Sequence, residues 1–315
     1  MKPVDTWKTV AVIGGGFIGF SYGILFSRAG LDVRIYNRKS ATYDAILPRM
    51  REEMDFLVAE GEMTQEDVQA ALARVTLTDD LDAAVDGADY IQECLWEDLA
   101  LKQKYFKELA DRTGADVPIG SSCSGLRISL IAADVTNHPE RCVTAHPTNP
   151  PHLIPFMEVA GDQASPEVKD AVCAFMRRVG QSPVQCREVY GYVLNRLQLS
   201  LIQEALYLVK EGICDVVAVE SAITDGLGMR WAYTGPYGVE ELNSASLGEG
   251  LAKYKDYMLA FFTGEQQKVE GYDDAFIEAA VQGFRPVMKG RSHDEYLKWR
   301  NKMLVATRKL KRENA

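Results

Sequence analysis

The stretch TVAVIGGGFIGF, residues 9–20, decides the reading of this chain. Residues 10–13 form a short apolar run, the pattern of a strand buried on both faces of a parallel sheet. The run breaks into Gly14, Gly15 and Gly16, and a helical pattern carrying Phe17, Ile18 and Gly19 follows. The spacing is G-x-G-x-x-G. Gly14 would permit the tight turn, Gly16 would let backbone approach a pyrophosphate, and Gly19 would let the helix pack closely on its strand. Free N–H groups at that helix start, with the helix dipole behind them, suit an anion. The stretch predicts a dinucleotide site built on Gly14, Gly16, Phe17, Ile18 and Gly19. The bland alternative is a glycine turn that joins strand to helix with no ligand.

Working outward, the helix runs to Arg28 and stops at Ala29-Gly30, and residues 33–36 form a second strand that completes a βαβ unit. An NAD-binding unit carries a carboxylate about 20 residues beyond the glycines, where it takes the ribose hydroxyls. Here that place is Asn37, followed by Arg38, Lys39 and Ser40. No anion repels a 2′-phosphate, and two cations and a hydroxyl are available to hold one. The cofactor is therefore NADP or NAD, with NADP favoured by these four residues, against the alternative of a solvated basic turn.

Residues 45–72 predict a helical hairpin broken near Gly61 and dominated by Glu52, Glu53, Asp55, Glu60, Glu62, Glu66 and Asp67. Strands recur at 75–77 and 89–93, each leading into a helical stretch, then at 118–121, which runs into the loop SSCSG, and at 141–145, and 156–159 and 183–187 close the series. The class is α/β: a Rossmann-type, mainly parallel sheet domain over residues 1–188, followed by an all-α domain over residues 189–315. The first helix of the second domain, residues 192–210, is apolar nearly all round, which predicts burial on most faces and a subunit interface.

With 315 residues, 47% hydrophobic and 25% charged, the chain has the composition of a soluble globular protein of two domains. A formal charge of −10 argues against nucleic acid or an anionic membrane as partner. MKPVDTWKTV lacks the apolar segment of a signal peptide, and no run of about 18 apolar residues follows, so the expected location is cytoplasmic. Six cysteines without a C-x-x-C pair suggest neither a zinc site nor a disulfide framework.

The chemistry concentrates in HPTNPPHLIPFMEV, residues 146–159, and GYVLNRLQ, residues 191–198. A histidine at a strand end facing the cofactor can accept an alcohol proton, because its ordinary pKa lies near working pH. Glu158 falls within the next apolar strand, where a carboxylate is expensive unless paired, and pairing with His146 would fix the imidazole tautomer. Asn195 and Ser124 could hold the substrate oxygen. Each residue alone is as well explained by a structural hydrogen bond. Arg230, between Gly228 and Trp231 in a glycine-rich bend, suits a small carboxylate. The acidic hairpin, expected beside the cleft, disfavours a phosphate-rich coenzyme A ester.

GGGFIG, SSCSGL, HPTNPP followed by EV, and GYVLNRL resemble the 3-hydroxyacyl-CoA dehydrogenase family, in order and over nearly the whole chain. Within it, IQEC at 91–94, DGLGMRWAYTGP at 225–236 and KWRNKMLVATRKLK are similar to the lambda-crystallin or L-gulonate 3-dehydrogenase branch. The resemblance implies His146 as general base, Glu158 as its orienting partner, and Ser124 and Asn195 as substrate contacts. It also implies Glu97 and Lys102 beside the nicotinamide ribose, Asn149 near the nicotinamide, NAD as the usual cofactor, and a homodimer through the helical domain. Two departures stand out: Asn37 replaces an acidic residue, and Trp96 replaces a proline of that branch.

The expected function is hydride transfer between a nicotinamide cofactor and the 3-hydroxyl of a small hydroxy acid, L-gulonate first among candidates, with Arg230 and Trp231 in its binding site. The alternatives are a carnitine dehydrogenase, which Trp96, Trp231, Tyr233 and Tyr237 would suit, a short-chain 3-hydroxyacyl-CoA dehydrogenase, and a non-enzymatic, dinucleotide-binding structural protein of crystallin type.

Overall fold

A computed structural model describes residues 1–40, 42–264 and 273–314. The chain opens with β1 (Thr9–Ile13), α1 (Phe17–Arg28) and β2 (Asp32–Tyr36), then the hairpin α2 (Ile46–Ala59) and α3 (Gln65–Leu72). Next come β3 (Val75–Thr78), α4 (Leu81–Val85), β4 (Tyr90–Glu93), α5 (Leu99–Arg112), β5 (Ile119–Ser121) and α6 (Ile128–Ile131). The series closes with β6 (Cys142–Pro147), β7 (Phe156–Ala160), α7 (Pro166–Arg178) and β8 (Ser182–Gln185).

Among the described residues these strands form one sheet in the order β3-β2-β1-β4-β5-β6-β7-β8. Every neighbouring pair is parallel except β6 with β7. The order reverses between β1 and β4, and in such sheets ligands bind beyond the carboxyl ends of the strands at that switch. Helices cover both faces, which explains why the strands read as continuous apolar runs. Val10 and Val12 join one core cluster with Phe20, Met50 and Phe175, while Ala11 and Ile13 join another with Phe106 and Leu109.

The glycine turn is held by sterics. Gly14 takes φ 109°, and a Cβ there would lie 2.7 Å from the carbonyl oxygen of Cys94. A Cβ at Gly19 would collide with the carbonyl oxygen of Gly14, so α1 lies closer to its own turn than any side chain allows. The hairpin turns at Gly61, with φ 70°.

Its acidity has a structural use that the sequence reading did not anticipate. Glu62, almost fully buried, accepts hydrogen bonds from Arg308 at 2.8 Å and Arg312 at 2.6 Å. Lys309 donates to the Glu60 carbonyl, and Asp67 closes a capping box with Thr64 at the start of α3. The residue near the glycine turn is Ile46, at the other end of α2. A 14-residue helix is about 21 Å long, so Glu60 and Glu62 stand roughly that far from the turn. Glu60 and Glu62 therefore give no reason to exclude a coenzyme A ester.

The chain divides into two compact units, Met1–Asn195 with Arg300–Ala315, and Arg196–Trp299. The sequence places the change of texture at residue 188; the division falls seven residues later, and the C-terminal residues rejoin the first unit because Arg308 and Arg312 pair with Glu62. The second unit is helical: most of α8 (Leu194–Lys210), α9 (Val216–Ser221), α10 (Gly228–Trp231), α11 (Pro236–Asn243), α12 (Leu247–Gly264), α13 (Asp274–Met288) and the first turns of α14 (His293–Glu313). One expectation fails here. α8 has no buried residue, and Leu197 and Leu199 are 62% and 53% exposed, because the single chain does not cover its apolar faces.

Gly19→Ala is expected to destabilise the fold by about 2 kcal/mol, since the overpacking is against backbone that cannot step aside; urea unfolding of both forms measures it.

Candidate functional site

The turn before α1 keeps its donors in order. Gly14 N–H donates to the Tyr36 carbonyl at 2.8 Å and Gly15 N–H to Asn37 Oδ1 at 3.0 Å. Gly16 differs from its neighbours: no protein atom lies within 4 Å of where its Cβ would be. The protein's own packing does not require glycine there, and the open space leaves room for a group lying on the helix start. The side chains of Phe17 and Ile18 pack against the core, so these residues face a ligand with backbone N–H groups only. The turn thus fits the pyrophosphate of a dinucleotide.

Asn37 occupies the carboxylate's place and performs part of its work. Its oxygen accepts from Gly15 while its Nδ2 donates to the Arg38 carbonyl, so it holds the turn without bringing a charge. Arg38 is exposed. Lys39 Nζ lies 3.5 Å from Asp79 and Ser40 Oγ 3.1 Å from Thr42 Oγ1, so of the basic pair Lys39 already has an anion beside it.

His146 and Glu158 face each other across the antiparallel pair β6 and β7. The twelve-residue spacing that looked only suggestive in sequence is a cross-strand neighbour relation. His146 Nδ1 lies 2.8 Å from Glu158 Oε2, and both side chains are buried. Glu158 Oε1 accepts the N–H groups of Val193 and Leu194, each at 2.7 Å, at the start of α8. Burial alone would raise the Glu158 carboxyl, but the bonds from His146, Leu194 and Val193 outweigh it and hold the group below its ordinary value. An ionised carboxylate only accepts, so it draws the imidazole proton to Nδ1 and leaves the Nε2 lone pair free. Asn195, half-buried, begins the turn of α8 that Glu158 caps.

Ser124 is tied to Glu97. Glu97 Oε1 accepts Ser124 Oγ at 2.7 Å, Ser124 N at 2.7 Å and Gly125 N at 3.1 Å. Burial pushes the Glu97 carboxyl up, and these bonds bring it below its ordinary value. Ser124 was expected to donate to a substrate oxygen; its proton is directed instead to Glu97. Lys102 departs further. It is 1% exposed and donates to Glu93 Oε1 at 2.6 Å and to the Leu95 carbonyl at 3.1 Å. It braces the segment leading to Glu97 rather than presenting its ammonium.

Two residues at the site were missed by sequence reasoning. Glu93, at the end of β4, accepts from Lys102, from Leu95 N at 2.6 Å and from Ser121 Oγ at 2.7 Å. A carboxylate closing an apolar strand nine residues before a helical lysine was the available signal. Tyr192, with φ 47°, shares a 2.8 Å hydrogen bond with Thr144 Oγ1 and reaches the Leu126 carbonyl, its ring 6.1 Å from that of His146. Nothing in its spacing announced it. Asn149 is exposed just beyond β6. In the second unit Arg230 is exposed on α10, which continues a wide π-type turn at Ala222–Leu227, so the expected glycine-rich bend is helix; Trp231 is its last residue.

Residues 9–189 match the family model for 3-hydroxyacyl-CoA dehydrogenase, NAD binding domain, and residues 191–268 match the C-terminal domain of the same name. The chain is 34% identical to lambda-crystallin of Oryctolagus cuniculus over 315 residues, covering 96% of each chain. It is 32% identical over 308 residues to L-carnitine dehydrogenase of Oceanobacillus iheyensis, covering 95% of this chain and 96% of the relative. A solved 5-formyl-3-hydroxy-2-methylpyridine 4-carboxylic acid 5-dehydrogenase, an NAD+-dependent dismutase, superposes with a TM-score of 0.80 at 25% identity, over 97% of this chain and 98% of the other.

Gly16→Ala is expected to leave the melting temperature unchanged and to weaken NADH binding at least tenfold; fluorescence titration and thermal melting of the same sample check both.

Proposed function

This chain belongs to the 3-hydroxyacyl-CoA dehydrogenase family, a family of NAD-dependent oxidoreductases, and we propose that it oxidises the 3-hydroxyl of a small free hydroxy acid, with L-gulonate as leading candidate. The observation that carries this reading is the buried pair of His146 and Glu158 at the carboxyl edge of the sheet.

In the proposed reaction His146 Nε2 accepts the hydroxyl proton, and Glu158, ionised and close to Nδ1, stabilises the imidazolium that results. When bound, the nicotinamide supplies the acceptor for the hydride that leaves the same carbon. Ser124 exchanges its bond with Glu97 for one to the substrate oxygen, and Asn195 holds that oxygen from α8. Glu93 and Lys102 act one layer behind, fixing the segment that carries Glu97. NADP is proposed beside NAD, because the anion expected at Asn37 is absent and Arg38 is exposed. The exposed leucines of α8 support a homodimer through the helical unit.

A free acid rather than a thioester is supported by near full-length likeness to an L-carnitine dehydrogenase, whose named substrate is itself a 3-hydroxy acid. The same likeness keeps carnitine as a second reading. Trp96 is 85% exposed beside Glu97, and an aromatic face next to a carboxylate is what a quaternary ammonium prefers.

Assay of NADH and NADPH formation from L-gulonate, L-carnitine and 3-hydroxybutyryl-CoA tests the reading: turnover of L-gulonate supports it, and turnover of the thioester alone refutes it. His146→Gln should lose at least a thousandfold in kcat while NADH affinity holds, by stopped-flow and binding titration. Asn37→Asp should shift the NADPH to NADH affinity ratio at least tenfold towards NADH.

A further inference from the structure

Within the first unit, away from the glycine turn, a cavity of about 630 Å³ is walled by the end of α1, residues 151–155, the turn between α7 and β8, and the last turns of α14. Arg28, Arg178, Arg308, Lys311 and Arg312 line it, and no carboxylate does. In a chain of net charge −10 this is a local inversion of sign.

Among the described residues, the carboxylate behind the wall does not balance the four arginines. Among the described residues Glu62 is the one carboxylate paired with Arg308 and Arg312, while Arg28 donates to the Glu62 carbonyl at 3.4 Å and Arg178 to the carbonyls of Val4 and Trp7, which are neutral partners. Burial and the nearby Arg308 both push the Arg28 guanidinium down from its ordinary value. His152, 1% exposed in the same wall, has no hydrogen-bond partner at Nδ1 among the described residues, and its Nε2 lies 3.5 Å from Glu53 Oε2. Nε of Arg308 is likewise buried without a partner. Leu25, Leu153 and Val179 give the cavity an apolar side.

Guanidinium forks in excess over carboxylate, beside an apolar wall in a space of ligand size, point to one chemistry. We propose that this cavity binds a phosphate-bearing small organic anion, at a site separate from the dinucleotide turn. A singly charged carboxylate would leave most of the cationic excess in place, whereas a phosphate group neutralises two charges through several oxygens. The wall at 151–155 belongs to the connection between His146 and Glu158, so occupancy is felt along the segment that joins the proposed acid–base pair.

Inorganic pyrophosphate is the probe, titrated calorimetrically into the full chain saturated with NADH so that the glycine turn is occupied. One site per chain is expected, with hydrogen exchange slowed over residues 152–154 and 308–312. Kd should rise at least tenfold in Lys311→Glu and in Arg308→Gln, and fall in Glu62→Gln, which frees two guanidinium groups. Should Arg308→Gln lose its fold by circular dichroism, Lys311→Glu, on the exposed rim, decides. The absence of saturable binding, an unchanged Kd in Lys311→Glu, or protection confined to residues 14–20 overturns the proposal.

Discussion

The first unit is organised around a buried carboxylate that is fully satisfied. Glu158 sits in a strand with no exposure, where an ionised group without partners would cost several kcal/mol. Three donors offset that cost: His146 Nδ1 on one oxygen, and the Val193 and Leu194 N–H groups on the other. The same contacts fix the register of β6 against β7, the entry of α8 and the tautomer of the imidazole. Architecture and chemistry therefore share one group, and it is the group whose charge matters most to the proposed reaction.

The rest of the site repeats the device at lower stakes. Glu93 collects Lys102, Ser121 and the Leu95 amide, and Glu97 collects Ser124 and the Gly125 amide, so that loops leaving β4 and β5 are bound to each other by carboxylates. Beside them the glycine turn uses the opposite strategy, absence of side chains. Gly14 and Gly19 are glycine because protein backbone fills the space, and Gly16 is glycine although protein does not fill it. That difference separates the glycines that the fold requires from the one for which the proposed dinucleotide supplies the reason.

What the sequence made legible was local or periodic. The βαβ unit, the strand that delivers His146 and the strand that buries Glu158 follow from apolar runs, glycine placement and two-residue alternation. What it hid depended on distant partners. The acidity of the α2–α3 hairpin looked like a property of the cleft until Glu62 proved to hold Arg312, 250 residues away. The family resemblance set Lys102 beside the nicotinamide ribose, and nothing local in the sequence shows that Glu93 also accepts from its ammonium. The apolarity of α8 was plain, but composition says only that a face wants covering, and the single chain leaves the helix without a fully buried residue. Three glycines near Arg230 imitated a bend where the backbone stays helical.

Because the proposed reaction needs a bare Nε2 on a neutral imidazole, the protonation state of His146 is the quantity to measure. Nitrogen NMR of isotope-labelled histidine in the full chain at neutral pH, assigned with a His146 variant, reads it directly. The hydrogen bond to Glu158 requires a proton on Nδ1, and the proposed role as base requires Nε2 to carry none. A His146 that carries its proton on Nε2 would contradict its role as the base that accepts the substrate proton.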